Sequence, residues 1–352
     1  MNDGPQLRIR YWGTTGTLAR SLSPSEVADK LAAAIKQLVD EEALGELIAS
    51  RPDLPAIRRH LETHLPLYLR STYGGNGTCV EVQTPGELLI LDCGSGFRDL
   101  GRELVRRWNA PGFAGRRSGT ILLTHAHVDH IAAIPFVEPL YNPANHFTLC
   151  APQGVLDSLE AVFGEKSRLT RIYVPTNYAE MSGIREFRPI VPGDEFAIGQ
   201  TRVMAYRLNH PGGCVAYRIE CGGRTMVFAT DHEHAEVPDL ALADFARNAD
   251  LLYLDAHYLQ AEYDGAIGIR NGQPASHHGW GHSTIEAAVA TATAAGVRLL
   301  HLGHHEPARD DAELHGIEQL ADRLLAEALR SAGRPADSCR VQMAREELVV
   351  DL

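Results

Sequence analysis

The sequence predicts an α/β protein in which two β-sheets pack face to face and helices cover their outer sides. Runs typical of strands fall into two groups along the chain, and segments typical of helices lie between them. The chain of 352 residues, with 44% hydrophobic and 22% charged residues, has the size and composition of a globular protein with a large buried core. Two groups of strands interleaved with helices therefore predict a layered α/β architecture.

The first strand is predicted at residues 7–12, and a helical block follows it. Ser23 is a favourable N-cap, Pro24 suits the first helical position and Glu26 completes a capping box. Apolar residues then recur at helical spacing, and helical character continues, interrupted by prolines, to about residue 69. Residues 21–70 are thus predicted to form an α-helical insertion after the first strand. It could act as a lid, form a dimer contact or simply cover apolar surface.

The remaining strands are predicted from residue 78 onward. Residues 78–82 and 87–92 flank Thr84-Pro85-Gly86, which indicates a hairpin. A helix is predicted from Phe97 to Trp108 and another from Ile285 to Ala295. Further strands are predicted at residues 120–123, 147–150, 201–207, 215–219, 225–229, 250–255 and 297–302. Because no linker or internal repeat interrupts this pattern, we expect residues 1–352 to form one domain.

Composition excludes several functional classes. The formal net charge of −12 argues against nucleic-acid binding, since phosphate binders usually display a basic face. No apolar run is long enough for a membrane span, and no signal peptide is visible at the start. The six cysteines show no CxxC spacing, so neither a zinc knuckle nor a disulfide framework is expected. These features favour a reducing cytoplasm.

The clearest motif is THAHVDH at residues 124–130, directly after a predicted apolar strand. It places His125, His127, Asp129 and His130 on a loop at the end of that strand. Three imidazoles and a carboxylate supply the nitrogen and oxygen ligands that suit Zn²⁺ or a similar divalent ion. The motif therefore predicts a metal site.

This motif resembles that of the metallo-β-lactamase fold superfamily, and the resemblance extends over most of the chain. LNHPGG at 208–213, ATD at 229–231, GHST at 281–284 and LGHH at 302–305 resemble its later motifs. The His-Ser-Thr sequence at 282–284 is similar to that of the branch containing ribonuclease Z and related cyclic-nucleotide phosphodiesterases. The resemblance implies a four-layered αβ/βα sandwich with a dinuclear metal site at one edge, and only residues 21–70 fall outside it.

The resemblance also implies the roles of individual residues. One metal ion would be bound by His125, His127 and His210, and the second by Asp129, His130 and His304. Asp231 would bridge both ions, His305 is the alternative to His304, and His282 would be the proton donor. We expect two divalent cations, with zinc as the first expectation; manganese and iron accept the same ligands.

The chemistry of such a site is intelligible from general principles. Two cations about 3.5–4 Å apart can hold a hydroxide, orient a phosphate and neutralise charge during in-line displacement. The departing alkoxide then needs a proton, which an uncoordinated histidine can supply. His282 and Asp129 are accordingly the candidate catalytic residues, and Asp255 is a candidate for orienting His282.

Other histidines receive plainer expectations. His232 and His234 are expected to line the rim of the site rather than to bind metal. His277 and His278 lie in a glycine-rich loop and are expected to be exposed to solvent.

The predicted function is metal-dependent hydrolysis of a small phosphodiester, such as a 3′,5′-cyclic nucleotide. Relatives that process transfer RNA carry a basic, glycine-rich arm, and residues 151–207 show no such arm. Three alternatives stay open: hydrolysis of a lactone or thioester on the same site, 3′ processing of transfer RNA, and a non-enzymatic sensor. Neither nucleic acid nor membrane is expected as a partner, and the resemblance implies a homodimer.

Overall fold

The computed structural model describes residues 6–169, 172, 174, 176–270 and 272–352. Within these ranges the helices are α1 Pro24–Asp40, α2 Ala43–Ser50, α3 Leu54–His64, α4 Leu67–Arg70, α5 Gly96–Trp108, α6 Val128–Ile131, α7 Gln153–Phe163, α8 Leu240–Phe245, α9 Gln260–Tyr263, α10 Ile285–Ala295 and α11 Asp311–Ser331. The strands are β1 Arg8–Gly13, β2 Cys79–Thr84, β3 Glu87–Leu91, β4 Ser118–Leu122, β5 His146–Pro152, β6 Ile184–Ile190, β7 Glu195–Ile198, β8 Thr201–Leu208, β9 Cys214–Cys221, β10 Arg224–Ala229, β11 Leu251–Asp255, β12 Leu299–Gly303, β13 Arg340–Met343 and β14 Val349–Asp351.

In the described part of the chain the strands form two mixed sheets of seven strands each. The first has the order β14-β1-β2-β3-β4-β5-β6 and the second β13-β12-β11-β10-β9-β8-β7. From β14 to β3 in the first sheet, and from β7 to β10 in the second, neighbouring strands are antiparallel. The remaining pairings, from β3 to β6 in the first sheet and from β10 to β13 in the second, are parallel. The two sheets thus repeat one strand topology, although the sequence shows no repeat.

Three apolar clusters hold the layers together. Side chains from the facing sides of both sheets meet in the middle, and Tyr11, Tyr217 and Tyr253 are fully or almost fully buried there. The outer face of the first sheet packs against α5 and α7, and that of the second sheet against α8, α10 and α11. The order of layers is therefore helices, sheet, sheet, helices, as predicted.

The insertion forms the four helices α1–α4 with a small core of its own around Leu38 and Leu65. The Ser23 capping box of α1 is present as predicted. The insertion is fastened to α11 through the buried carboxylate of Asp311, which accepts hydrogen bonds from Thr72 Oγ1 (3.0 Å) and Tyr73 N (2.9 Å) and pairs with Lys30. It therefore covers one side of α11.

The other predicted elements are found with small shifts of their ends, and the 79–84/87–91 hairpin is confirmed. All six cysteines are buried and free. Among the described residues, no helix is long and apolar enough to cross a membrane.

Candidate metal centre

A cluster of histidine and aspartate side chains lies where the parallel strands of both sheets end. His125, His127, Asp129 and His130 follow β4, and Asp231 follows β10. His304 follows β12 directly, and His210 follows β8 after one intervening residue. The carboxyl ends of parallel strands meet at one edge of a sheet, which explains how distant motifs converge. The structure thus brings all seven predicted ligands together.

The seven side chains divide into two groups that share Asp231. One contains His125, His127, His210 and Asp231, and the other contains Asp129, His130, Asp231 and His304. Within each group the candidate ligand atoms all lie within 4.8 Å of one another. This is the division that the sequence predicted.

Asp231 lies between the groups, and each of its oxygens faces one of them. Its Oδ2 is 3.5 Å from His125 Nε2 and 3.7 Å from His210 Nε2. Its Oδ1 is 3.2 Å from both His130 Nε2 and His304 Nε2. A carboxylate in this position can bridge two cations.

The residues present fit a pair of divalent cations. The buried Nε2 atoms of His125 and His130 point into the cluster and make no well-directed hydrogen bond, although Asp231 Oδ2 lies 3.5 Å from the first and Asp129 Oδ2 lies 3.1 Å from the second. Buried nitrogens without a well-directed partner are costly unless another group satisfies them. The nitrogen and oxygen donors suit zinc, manganese or iron, so a dinuclear site is consistent with this arrangement.

The electrostatics of the cluster reflect its crowding. Burial lowers the pKa of His125 and that of His210. Burial would raise the pKa of Asp129, but His130 and His304 hold it well below its usual value. Asp129 is therefore ionised, and His125 and His210 favour the neutral form, which are the states that bind metal. Burial would lower the pKa of His130, but Asp231 and Asp129 raise it well above its usual value, so this imidazole holds a proton that a metal ion would displace.

A second layer of groups fixes the orientation of these histidines. Asp92, fully buried after β3, accepts hydrogen bonds from His130 Nδ1 (2.8 Å) and from Thr124 N (2.8 Å). His210 Nδ1 donates to the carbonyl of Gly281 (2.8 Å). Both contacts leave the Nε2 atom to face the cluster, as is usual for metal-binding histidines.

His282 stands beside the cluster without belonging to either ligand group. Its Nδ1 is 2.7 Å from Oδ2 of the fully buried Asp255, and its ring stacks on that of His304 with centroids 4.8 Å apart. Burial lowers the pKa of His282, but the ion pair with Asp255 outweighs this and raises the pKa to about 9. The contact between Asp255 and His282 is the one that the sequence suggested.

His257 is a neighbour that the sequence analysis did not assign to the site. Its ring stacks on His282 (4.6 Å between centroids), and its Nδ1 donates to the carbonyl of His304 (2.7 Å). It braces both residues from one side. The sequence signal that could have identified His257 is its position two residues after Asp255, which ends β11.

Glu233 ties together the loops that carry the site, and the sequence analysis also missed it. Its carboxylate accepts hydrogen bonds from Gly279 N (2.7 Å), Gly281 N (2.8 Å) and Tyr263 Oη (2.6 Å). Gly281 has a φ of 89°, and a Cβ there would lie 2.1 Å from His210 Nδ1. The loop before His282 therefore depends both on glycine and on the Glu233 carboxylate.

The positions of four other histidines can be compared with the predictions. His304, and not His305, reaches the cluster; His305 is buried and its Nε2 donates to the carbonyl of Ala344 (2.6 Å). His277 was expected to be exposed, which is wrong. It is buried because its ring packs on Tyr258 and its Nδ1 donates to the carbonyl of Glu262. His278 is exposed as expected.

His232 belongs to neither ligand group, but the expectation that it lines the rim of the site is wrong. It does not line a solvent-facing rim, because its Nε2 bonds Asp239 (3.0 Å) in a buried position.

A cavity of about 450 Å³ opens beside His125 and His127. Its walls are formed by the start of α7, by residues 211–215 and by Arg207 at the end of β8. It adjoins the cluster on the side of the first ligand group, and it is large enough for a small organic substrate.

Comparison with known proteins agrees with this geometry. A family profile described as "Beta-lactamase superfamily domain" matches residues 88–305. Ribonuclease Z of Methanopyrus kandleri is 30% identical over 145 residues, which cover 40% of this chain and 42% of that protein. The chain thus matches less than half the length of this relative.

Solved structures share the fold across the whole chain. The metallo-β-lactamase fold protein YhfI from Bacillus subtilis covers 99% of this chain and 100% of its own, with a TM-score of 0.58 and 16% identity. Zn²⁺-bound PqqB from Methylobacterium extorquens has a TM-score of 0.58 and 16% identity, and the match covers 98% of this chain and 100% of that one. Yeast PDE1 has a TM-score of 0.56 and 12% identity, and the match covers 99% of this chain and 100% of that one. At these identities the likeness concerns the fold.

The matched profile spans more than half of the chain, from β3 to the His304 motif, and includes every predicted metal ligand. The chain therefore belongs to the metallo-β-lactamase superfamily and is distantly related to ribonuclease Z.

Proposed function

We propose that this protein is a metal-dependent hydrolase of small phosphodiesters, with a 3′,5′-cyclic nucleotide as the favoured substrate. The observation that carries this proposal is the pair formed by His282 and the buried Asp255 next to the ligand cluster. This arrangement supplies an oriented proton donor close to the place where a leaving group would depart.

Two cations, once bound, would polarise the phosphate and lower the pKa of a bound water. The residues of this chain would hold them in the division already described. His125, His127 and His210 face one position, Asp129, His130 and His304 face the other, and Asp231 joins them. We propose zinc as the metal, since a set rich in imidazole suits it.

The proton donor favours phosphodiester over thioester hydrolysis. An alkoxide that leaves phosphorus is a strong base and needs a proton at or near departure. A thiolate is stable near neutral pH and needs none. The Nδ1 atom of His282 is engaged by Asp255, so its Nε2 is the atom available to donate.

The surface charge favours a small substrate over RNA. With a net charge of −12, most of the surface would repel a polyanion. Within residues 151–207 the described chain forms α7, β6, β7 and part of β8. Processing of the 3′ end of transfer RNA is kept as the second candidate, because relatives that match in sequence are named ribonuclease Z.

The proposal is tested by measuring turnover of five substrates by zinc-loaded protein. They are 3′,5′-cyclic nucleotides, a chromogenic phosphodiester, a precursor transfer RNA, a lactone and a thioester. Asp129→Ala removes a predicted ligand and His282→Ala removes the predicted donor. His146→Ala is the matched control, because His146 is an exposed histidine at the start of β5, at the opposite end of the parallel strands from the cluster.

We expect cyclic nucleotides to be hydrolysed by the wild type and by His146→Ala, with a loss of at least about 100-fold in His282→Ala. Turnover of precursor transfer RNA alone would replace the proposal with the second candidate. Turnover of lactone or thioester alone, unaffected by His282→Ala, would contradict phosphodiester hydrolysis.

A further inference from the structure

The cavity beside the first ligand group has an unusual combination of walls. Pro152, Val155, Pro192 and Pro211 provide apolar surface, and Gly212 and Gly213, with φ of 82° and 87°, provide a wall without side chains. No carboxylate lines it within the described part of the chain. In a protein with a net charge of −12, a cavity without acidic residues next to a cluster of metal ligands is suited to an electron-rich ligand.

Arg207 is the cationic side chain of this cavity. It lies at the end of β8, is exposed, and its guanidinium forms no hydrogen bond or ion pair with any described residue. Two arginines that line another cavity behave differently. Arg224 and Arg298 line a cavity of about 380 Å³ at the opposite ends of the strands, but both pair with Asp250, at 3.2 and 3.3 Å. The Arg207 guanidinium therefore keeps its donors available for a ligand.

The geometry of a guanidinium selects its partner. Its planar fork donates two parallel hydrogen bonds and so matches a group that presents two acceptors side by side. Among nucleobases, the O6 and N7 atoms of guanine form such an edge, whereas adenine presents one acceptor beside an amino donor. Flat apolar walls of proline and valine suit the faces of a purine ring.

We propose that this cavity is the base-binding subsite of the enzyme and that Arg207 makes it selective for guanine over adenine. The proposal rests on the proposed function and names its substrate class, a guanine cyclic nucleotide. The phosphate would lie at the metal ligands and the base would extend past His127 towards Arg207.

The test compares Arg207→Gln with Arg202→Gln in zinc-loaded protein. Arg202 is the matched control, because it lies on the same strand but pairs with Glu195 and with Glu220 (3.0 Å), outside the cavity. The values of kcat/KM are measured for cyclic GMP and cyclic AMP. Binding of GMP and AMP is measured by calorimetry, which requires no turnover.

We expect the wild type and Arg202→Gln to prefer cyclic GMP. Arg207→Gln should lower kcat/KM for cyclic GMP by about 10-fold to 100-fold and should not lower that for cyclic AMP, because a glutamine amide can pair with N7 and N6 of adenine. A parallel loss for both nucleotides would mean that Arg207 contacts phosphate, and it would overturn the base-reading proposal. No loss for either would overturn it as well.

Failure of the proposed function gives a different result. If no cyclic nucleotide is hydrolysed, the proposed activity is wrong and the calorimetry decides the subsite separately. Tighter binding of GMP than AMP, lost in Arg207→Gln, would support the base-binding cavity on its own. Equal binding of GMP and AMP by the wild type would overturn it.

Discussion

Three residues of the site adopt a backbone conformation that side chains usually avoid. Asp92, Asp231 and His304 have φ of 60°, 46° and 55°, and each closely follows a strand. The left-handed conformation costs about 1–2 kcal/mol for residues other than glycine. It turns each side chain towards the cluster at the point where its strand ends. The surroundings hold His304 in this state, because its N–H donates to Tyr253 Oη at 3.0 Å.

Glu233→Gln is expected to lower kcat/KM about 10-fold to 100-fold, as is typical for residues that orient a metal site. A carboxamide cannot accept from both Gly279 and Gly281 as the two carboxylate oxygens do. The loop that carries His282 should then lose its fixed position. The measurement is steady-state kinetics together with zinc content and circular dichroism. Glu236→Gln, a change at an exposed position nearby, is the control, and equal activity of the two variants would contradict the role of Glu233.

His301 is expected to make the stability of the fold depend on pH. It is buried between the sheets, bonded to Tyr11 Oη (2.7 Å), and burial lowers its pKa to about 4, with a further lowering by Arg345. In the unfolded chain the pKa is near 6.5. The unfolded state therefore binds a proton first, so the stabilisation is complete above pH 6.5 and is lost as the pH falls towards 4.

The loss should amount to about 3 kcal/mol at pH 4, from about 1.4 kcal/mol per pKa unit. His301→Gln keeps an acceptor for Tyr11 but does not titrate. Free energies of unfolding in urea, measured in chelator from pH 7 to pH 4, should fall more steeply for the wild type than for this variant. Identical slopes would show that His301 does not contribute.

At the scale of elements, Asp311 is one anchor of the insertion α1–α4, in addition to the stacking of Tyr68 on His315 of α11. The Asp311 carboxylate at the start of α11 accepts hydrogen bonds from Thr72 and Tyr73 and forms an ion pair with Lys30. Removing one partner of a buried charged contact typically costs about 3–5 kcal/mol. Asp311→Ala is thus expected to release the insertion locally while the two sheets stay folded.

Limited proteolysis would show this release as faster cleavage within residues 24–70, with residues 79–352 left intact. Asp310→Ala is a useful comparison, because Asp310 caps α11 but forms no hydrogen bond or ion pair with the insertion among the described residues. If both variants were cleaved at the same rate, Asp311 would not be an anchor.

The elements that could be predicted from the sequence are those determined by residues close to one another in the chain. The capping box at Ser23, the hairpin at residues 79–91 and the metal motif after β4 all follow from nearby residues. Strands β6, β7, β13 and β14 were missed, because each lies at the edge of its sheet and, in β6, Pro189 interrupts the pattern. Edge strands lack the apolar alternation that reveals buried ones.

The limits at the site have a similar origin. The ligands were predictable because metal binding restricts residue type and spacing. Glu233 was not, because its partners are the backbone amides of a loop 46–48 residues away. A backbone amide has no sequence signature. His277 was misplaced because a glycine-rich loop suggests exposure, whereas here the loop folds back onto Tyr258.

At the scale of the whole molecule, the cluster joins the two sheets. His125 and His130 come from the first sheet, whereas His210, Asp231 and His304 come from the second. Bound metal is expected to stabilise the folded state by about 2.7 kcal/mol for a site at 100 times its Kd. Chelation should accordingly lower the melting temperature.

Differential scanning fluorimetry with and without chelator measures this effect. The wild type should melt several degrees lower in chelator, and Asp129→Ala should show a smaller difference because it lacks a ligand of the second group. An unchanged melting temperature in the wild type would mean that the cluster does not hold metal under these conditions.

The repeated strand topology has one more consequence. The first half of the chain supplies four of the seven candidate ligands, and the second half supplies three. Each of the two ligand groups contains residues from both halves, because Asp231 belongs to both groups. Correct docking of the two halves is thereby a precondition for tight coordination. The metal content of the protein therefore indicates whether the two halves have docked as well as whether the site can be active. A chain whose halves have folded but not docked would be folded, low in metal and inactive.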